Sequence, residues 1–187
     1  MGNLRILDYS LRLRNSFTQT PFRYGNAELT ACPQAIVRVT VEFRGQVVDG
    51  FAADCLPPLW FDKCIENSYS EQITAMCESI SMAANFIDGD LFYDNALDLA
   101  LALGNHESPE IHKNGLLASF GKSMFERSII DACCRREKAA FGDLIAGGVL
   151  CDDRQIAFKL QSGARLSSHV WNRDRRASRI YVRHTVG

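Results

Sequence analysis

Alternating hydrophobic and polar residues predict three β-strands in the first third of the chain. The first alternating segment carries Leu7, Tyr9, Leu11 and Leu13. The second covers residues 37–43, and Arg44-Gly45 then forms a tight turn into a third segment, residues 46–53. Because successive side chains of a strand point to opposite faces, each segment is expected to bury one face. We expect the second and third strands to form a hairpin, and all three to make an antiparallel meander.

Two segments that follow strands lack such a pattern and are predicted to be loops. Residues 15–26 are mostly polar and contain Pro21 and Gly25, which favour turns. Residues 54–63 are unusually apolar for a loop. They nevertheless contain Pro57-Pro58, and two adjacent prolines cannot join a regular hydrogen-bonded element.

The hydrophobic period changes to that of helices after residue 68. Ser68 and Glu71 form a capping-box signature, and apolar residues then follow at helical spacing as far as Ile87. A short helix is predicted to start at Asp94 or Asn95 and to stop at Gly104. The longest and most buried helix is predicted for residues 115–146, between Asn114 and Gly147-Gly148. Strands followed by helices indicate an α+β fold.

Composition fits a single soluble domain. The chain has 187 residues, of which 47% are hydrophobic and 23% are charged. No apolar run approaches the roughly 20 residues of a membrane helix, and the first residues alternate instead of forming a signal-peptide block. We therefore expect a cytoplasmic protein. Its seven cysteines lack a C-x-x-C pair, which favours buried, reduced thiols over a zinc or redox site.

Charge is concentrated at the C-terminal end. Residues 154–187 hold eight of the 21 basic residues and one of the 22 acidic ones. This asymmetry fits either a solvated linker or a non-enzymatic binding module for nucleic acid or an acidic partner. Against nucleic acid, the stretch offers only Trp171 and Tyr181 for base stacking and no glycine-rich or helix-turn-helix pattern.

Three segments together resemble the capping domain of the mandelate racemase and muconate-lactonizing branch of the enolase superfamily. Residues 37–52, with Gly45 at their turn, are similar to the second and third strands of that domain. Residues 128–148, ending in Gly147-Gly148, are similar to its last helix, and residues 183–187 resemble the first strand of the barrel that follows it. One departure is Cys133-Cys134-Arg135-Arg136, where the family commonly has an apolar and Trp-Asp stretch.

The resemblance implies a capping domain over residues 1–150: a three-stranded antiparallel meander followed by a helical bundle. Residues 151–187 are then expected to be a poorly ordered linker and the first strand of a (β/α)8 barrel. Such a barrel needs about 250 residues. In this family it holds Mg²⁺ on three carboxylates, while Lys or His bases remove a proton alpha to a substrate carboxylate.

Accordingly, we expect the chain alone to have no catalytic residues, no metal site and no activity. Its partners would be the barrel domain and, in the parent enzyme, Mg²⁺ and a small carboxylate substrate acted on by a racemase, cycloisomerase or dehydratase. An unpaired barrel strand could also lead to self-association.

The family also implies a lid over the barrel mouth, built here from residues 16–25 and 54–63. A lid excludes water, which explains apolar side chains on exposed loops. The candidate lid residues are Phe17, Thr20, Phe22, Tyr24, Leu56, Trp60, Phe61 and Lys63. The alternative is that Phe17, Phe22, Trp60 and Phe61 simply pack on the domain's own helices. If residues 180–186 form the first barrel strand, His184 and Thr185 would line the active site.

Overall fold

Five strands precede four helices in the structure, a computed structural model that describes residues 3–25, 27–87, 89–105, 114–150 and 179–182. The elements are β1 (Leu4–Arg14), β2 (Phe17–Tyr24), β3 (Ala27–Ala31), β4 (Gln34–Phe43), β5 (Gln46–Cys55), α1 (Tyr69–Ala84), α2 (Ala96–Asn105), α3 (Gly115–Glu137) and α4 (Phe141–Ala146). The α+β prediction is confirmed.

The main sheet is antiparallel and has the strand order β1-β4-β5. Val37, Val39, Val41 and Phe43 of β4 are all buried, which confirms the predicted face of this strand. Arg44 and Gly45 join β4 to β5 with φ angles of 51° and 72°. Two consecutive left-handed residues match the twist of a tight hairpin, so the predicted hairpin is also confirmed.

A second, two-stranded sheet replaces the loop predicted for residues 15–26. β2 and β3 pair antiparallel, from Phe17 opposite Ala31 to Tyr24 opposite Ala27. The prediction failed because most of this hairpin is exposed, so no buried face imposes an alternating pattern. Pro21 is accommodated because it lies in an irregular part of the register, where its missing N–H breaks no ladder.

The buried face predicted for β1 is wrong at three of its four residues, because Leu7, Tyr9 and Leu13 are exposed and Leu11 alone of the four packs against the core. Leu4, Ile6, Tyr9 and Leu11 lie opposite Phe43, Val41, Val39 and Val37, whereas the register shifts between Ile6 and Asp8. Leu7 is the extra residue at this bulge and is exposed. Ile6 and Tyr9, on either side of the bulge, therefore lie on the same face of the sheet although an odd number of positions separates them.

The first two helices begin close to where the sequence predicts. Before α1, the Ser68 hydroxyl accepts the Glu71 N–H at 3.3 Å, and the Glu71 carboxylate accepts the Ser68 N–H at 2.7 Å. Hydrogen bonds to the Glu71 carboxylate from the Ser68 side chain and, second, from the Ser68 N–H lower the pKa of Glu71. Before α2, the Asn95 side chain accepts the Asp98 N–H at 3.1 Å. Both predicted helix starts are confirmed.

α3 is the central helix, packed against β4, β5, α1 and α2. Two glycines permit its closest contacts. A Cβ atom on Gly50 of β5 would lie 2.0 Å from the Ser128 carbonyl oxygen, and one on Gly121 would lie 2.0 Å from that of Ser79. At the second contact the Ser79 hydroxyl donates to Leu117 O at 2.6 Å and accepts the Gly121 N–H at 3.0 Å. A side chain of α1 thus bridges backbone groups of α3.

The single helix predicted for residues 115–146 is wrong, because it is two helices. α3 ends at Lys138, whose φ of 51° is left-handed, and α4 starts only at Phe141. The N–H groups of Lys138 and Ala139 bond back to Arg135 O and Cys134 O, which is how a helix commonly terminates. The predicted stop at Gly147 is correct for α4.

Six of the seven cysteines are described, and these are free thiols. Cys32 and Cys133 are buried, and burial raises their pKa values to about 11 and about 12. Cys55 is exposed, so the prediction of buried thiols is wrong for that residue.

The C-terminal predictions fall largely outside the described residues. Residues 151–178 and 183–187 are not described, and the linker assigned to this region stays a prediction. Ile180, Tyr181 and Val182 are exposed and lie in no strand of the described chain. Among the described helices, none has the length and apolarity needed to cross a membrane.

Candidate functional site

The two predicted lid segments meet at one end of the domain. The Tyr24 ring, at the end of β2, lies 5.8 Å from the Trp60 ring of the β5–α1 connection, edge to face. The Phe22 ring lies 5.8 Å from that of Tyr24, and the Tyr24 hydroxyl donates to Pro58 O. Burial, with smaller contributions from Cys32 and Tyr69, raises the pKa of Tyr24, so its hydroxyl stays protonated for this bond.

A pocket of about 400 Å³ lies where these segments meet. It is lined by Tyr24, Gly25, Ala27, Leu59, Trp60, Lys63 and Ile65. Tyr24, Trp60 and Lys63 were predicted as lid residues from the sequence. The other four were not, because small or aliphatic residues in loops carry no sequence signal for a pocket.

The loop that carries Trp60 is held in place by one buried side chain. Gln72 of α1 is 6% exposed, and its side-chain oxygen accepts the Leu59 N–H. Its amide nitrogen donates to Cys64 O at 3.3 Å and to Asn67 O at 3.1 Å. Leu59 has a φ of 59°, a left-handed conformation that is strained for leucine. Gln72 therefore fixes an unusual backbone conformation next to the pocket.

Lys63 is the single charged residue among the seven that line the pocket. Its Nζ donates to Leu59 O at 2.7 Å and lies 5.7 Å from the centroid of the Trp60 ring. A cation at that distance is attracted by the electron-rich ring face. The ammonium group is thus held at the pocket by two neighbours.

Exposed hydrophobic side chains line or adjoin the pocket. Ile65 and Trp60, which line it, are 78% and 51% exposed, and Phe22, whose ring lies beside that of Tyr24, is 50% exposed. Phe17 is 78% exposed but lies at the opposite end of β2, where it pairs with Ala31. Large apolar side chains grouped on a surface usually mark a site that binds something. Phe17, Phe22 and Trp60 therefore lie outside the hydrophobic core of the domain.

Three other candidate residues are placed differently. Leu56 is 0% exposed and belongs to the hydrophobic core, so its assignment to the lid is wrong. Phe61 is partly buried, with its ring 4.8 Å from that of Phe120 of α3, as the alternative of packing on the domain's own helices predicts for this residue. Thr20 is exposed on β2 and does not line the pocket.

The remaining predicted positions cannot be placed. His184 and Thr185 lie outside the described residues, as does most of the basic stretch. In the ranges that the structure covers, no group of three or more His, Cys, Asp or Glu residues could hold a metal ion. The described residues therefore do not fit Mg²⁺.

No protein-family model matches the sequence, and a comparison with curated protein sequences finds no match. Solved structures do match. A mandelate racemase/muconate lactonizing protein from Herpetosiphon aurantiacus has 16% identity and a TM-score of 0.51, over 71% of this chain and 32% of its own. An enolase from Bradyrhizobium, complexed with magnesium and mandelic acid, has 15% identity and a TM-score of 0.51, over 78% of this chain and 35% of its own.

A third match, an enolase from the α-proteobacterium BAL199 with bound magnesium, has 15% identity and a TM-score of 0.51, over 76% of this chain and 34% of its own. The chain thus has the α+β fold of part of these mandelate racemase/muconate lactonizing and enolase structures. It spans about a third of their length. The resemblance drawn from the sequence is confirmed for the fold.

Proposed function

We propose that residues 1–150 are the capping domain of a Mg²⁺-dependent enzyme of the enolase superfamily. In this role the domain closes the mouth of a (β/α)8 barrel and shapes the pocket for a small carboxylate substrate. The enzyme would be a racemase, cycloisomerase or dehydratase that removes a proton alpha to the carboxylate. This chain would supply the lid, and the barrel would supply the chemistry.

One observation carries the proposal: two segments far apart in sequence present exposed aromatic side chains around one pocket. Tyr24 and Trp60 are in ring contact although 36 positions separate them, and Phe22, whose ring lies 5.8 Å from that of Tyr24, extends the apolar surface along the same hairpin. Leaving such side chains in water is unfavourable by about 25 cal/mol for each Å² of apolar surface. A second surface that covers them would recover that free energy. The shared fold supports a barrel as the covering surface.

The proposal places the metal chemistry in the barrel, as the resemblance to the enolase superfamily implies. The bound ion would stabilise the enediolate formed when the proton is removed. The described side chains have a different task. Trp60 and Phe22 would exclude water from the closed site, which strengthens electrostatic interactions within it.

The test begins with the transcript that encodes this chain, read beyond the codon for Gly187, and with the proteins that co-purify with the chain from its source. We expect a (β/α)8 barrel either in the same reading frame or as a tightly bound partner. Solvent deuterium incorporation alpha to the carboxylate of candidate acids, with Mg²⁺, then measures proton abstraction. Finding no barrel in either place would overturn the proposal, as would a barrel whose exchange rate is unchanged by removing the capping domain.

A further inference from the structure

We propose that the pocket between Tyr24, Trp60 and Lys63 is itself a binding site for small organic anions that carry a flat apolar group. The anionic group would lie at Lys63 and the apolar group against Trp60 and Ile65. The inference rests on the proposed function for its biological role, in which the site would hold the end of a substrate that faces the lid. Its walls, however, all belong to this chain.

The charge of the pocket selects an anion. Lys63 is the one charged lining residue, and within the described chain it makes no ion pair. An ammonium group has three N–H donors, of which the bond to Leu59 O uses one. Two donors therefore remain for a ligand. A carboxylate is a stronger acceptor for them than a neutral amide oxygen.

The position of that charge is largely fixed before a ligand binds. A free lysine side chain loses rotamer entropy when it is immobilised. Here Leu59 O and the Trp60 ring already restrain Nζ, and Gln72 restrains Leu59. Because part of the ordering has been completed in the free protein, more of the interaction energy is available for binding.

The other walls select a flat apolar group. Trp60, Tyr24, Leu59 and Ile65 present rings and aliphatic chains, and the volume of about 400 Å³ admits a single aromatic ring with a short side chain. The pocket is open on one side, so contacts cover only part of such a ligand. We therefore expect a dissociation constant of roughly 1 mM, equivalent to about −4 kcal/mol.

The test uses the full chain with Trp171→Phe, which leaves Trp60 as the reporter because the sequence contains two tryptophans. Trp60 fluorescence is titrated with 3-phenylpropionate and with its neutral analogue, 3-phenylpropionamide. We expect saturable binding of the acid and at least fivefold weaker binding of the amide. Lys63→Gln should lower the affinity for the acid about fivefold and leave the affinity for the amide unchanged. Lys63→Arg should still bind the acid more tightly than the amide. The control Lys122→Gln removes a lysine of α3 instead and should change neither the affinity for the acid nor that for the amide.

Three results would overturn the proposal: no saturation by 20 mM acid, equal affinity for acid and amide, or an unchanged preference in Lys63→Gln. Circular dichroism checks that each variant is folded, and the exposed position of Lys63 makes unfolding unexpected. Failure here is distinct from failure of the proposed function, because a lid can close a barrel without holding an anion. Conversely, anion binding by a chain that has no barrel partner would leave this site in place and refute the capping role.

Discussion

Replacing Gln72 with leucine is expected to release the pocket loop without altering any side chain that lines the pocket. Gln72 lies on α1, and its amide makes three hydrogen bonds to the loop backbone: with the Leu59 N–H, Cys64 O and Asn67 O. Leucine has a similar size but no polar group. The substitution therefore removes these hydrogen bonds and leaves the buried site filled.

The magnitude follows from the contacts. Each hydrogen bond contributes about 1 kcal/mol net, and buried backbone groups that lose their partners add to the cost. Leucine at a position that is 6% exposed recovers about 1 kcal/mol through apolar burial. We expect a net loss of about 2 kcal/mol in the free energy of unfolding. Because Leu59 is then free to leave its left-handed conformation, Lys63 and Trp60 should also lose their fixed positions.

Urea denaturation followed by circular dichroism measures the stability, and 3-phenylpropionate titration measures the pocket. The matched control is Thr74→Leu, which adds leucine to an exposed position of α1 and should change stability by less than about 0.5 kcal/mol. A Gln72→Leu protein as stable as wild type, with unchanged ligand affinity, would refute the role assigned to Gln72.

Three further predictions concern the core and the metal. Gly50→Ala should lower the free energy of unfolding, measured by urea denaturation, by at least about 3 kcal/mol, because its Cβ would lie 2.0 Å from Ser128 O. Gly142→Ala in α4 has open space around it and should be neutral or stabilising. Equal effects of the two substitutions would contradict the close contact at Gly50. The raised pKa of Cys133, about 12 against an ordinary 9.0, means that the unfolded thiol ionises first as pH rises. The free energy of unfolding should therefore be constant below pH 9 as far as Cys133 is concerned, and should fall between pH 9 and 12 by up to about 1.4 kcal/mol per pH unit. Urea denaturation at a series of pH values should show that Cys133→Ala lacks this fall, and an equal pH dependence of stability in wild type and variant would refute it. Mg²⁺ at 10 mM should leave the melting temperature of the isolated chain unchanged, because a ligand stabilises only a state that binds it, and a saturable rise would contradict placing the metal in the barrel.

The parts of the fold that could be predicted are those where burial imposes a period. Val37–Phe43 alternate because one face of β4 is completely covered, and the Ser68–Glu71 capping box marks a helix start through local hydrogen bonds alone. Both signals lie within a few residues of the element that they predict. The pairing of β4 with β5 followed from the short turn at Arg44-Gly45.

The wrong predictions have a common physical cause. They concern structure that leaves no pattern of buried and exposed residues in the local sequence. The β2–β3 hairpin is exposed on most of its surface, so its strands show no periodicity. The bulge at Leu7 and the left-handed Lys138 are single-residue changes of backbone geometry within otherwise regular patterns. Lysine and leucine carry no sequence preference that would have indicated either one.

The candidate site was predicted only in part, for a related reason. The resemblance indicated which two segments to consider, and Tyr24, Trp60 and Lys63 do meet at one pocket. Leu56 could not be separated from them by sequence, because an apolar residue in a loop is as consistent with a core position as with a lid. The role of Gln72 depends on contacts across α1 and the loop, which appear only once the chain is folded.

The proposed capping role is tested most directly by the kinetics of Trp60→Ala in a protein that joins this domain to a (β/α)8 barrel. Trp60 is 51% exposed here, so its loss should cost much less stability than the roughly 3–5 kcal/mol of a core aromatic. We predict at least a tenfold lower kcat/KM with a melting temperature close to wild type, while Val47→Ala, an exposed position on β5, changes neither. A large loss of stability with unchanged kcat/KM per folded molecule would contradict the account, because Trp60 would then be a core residue and not part of a lid.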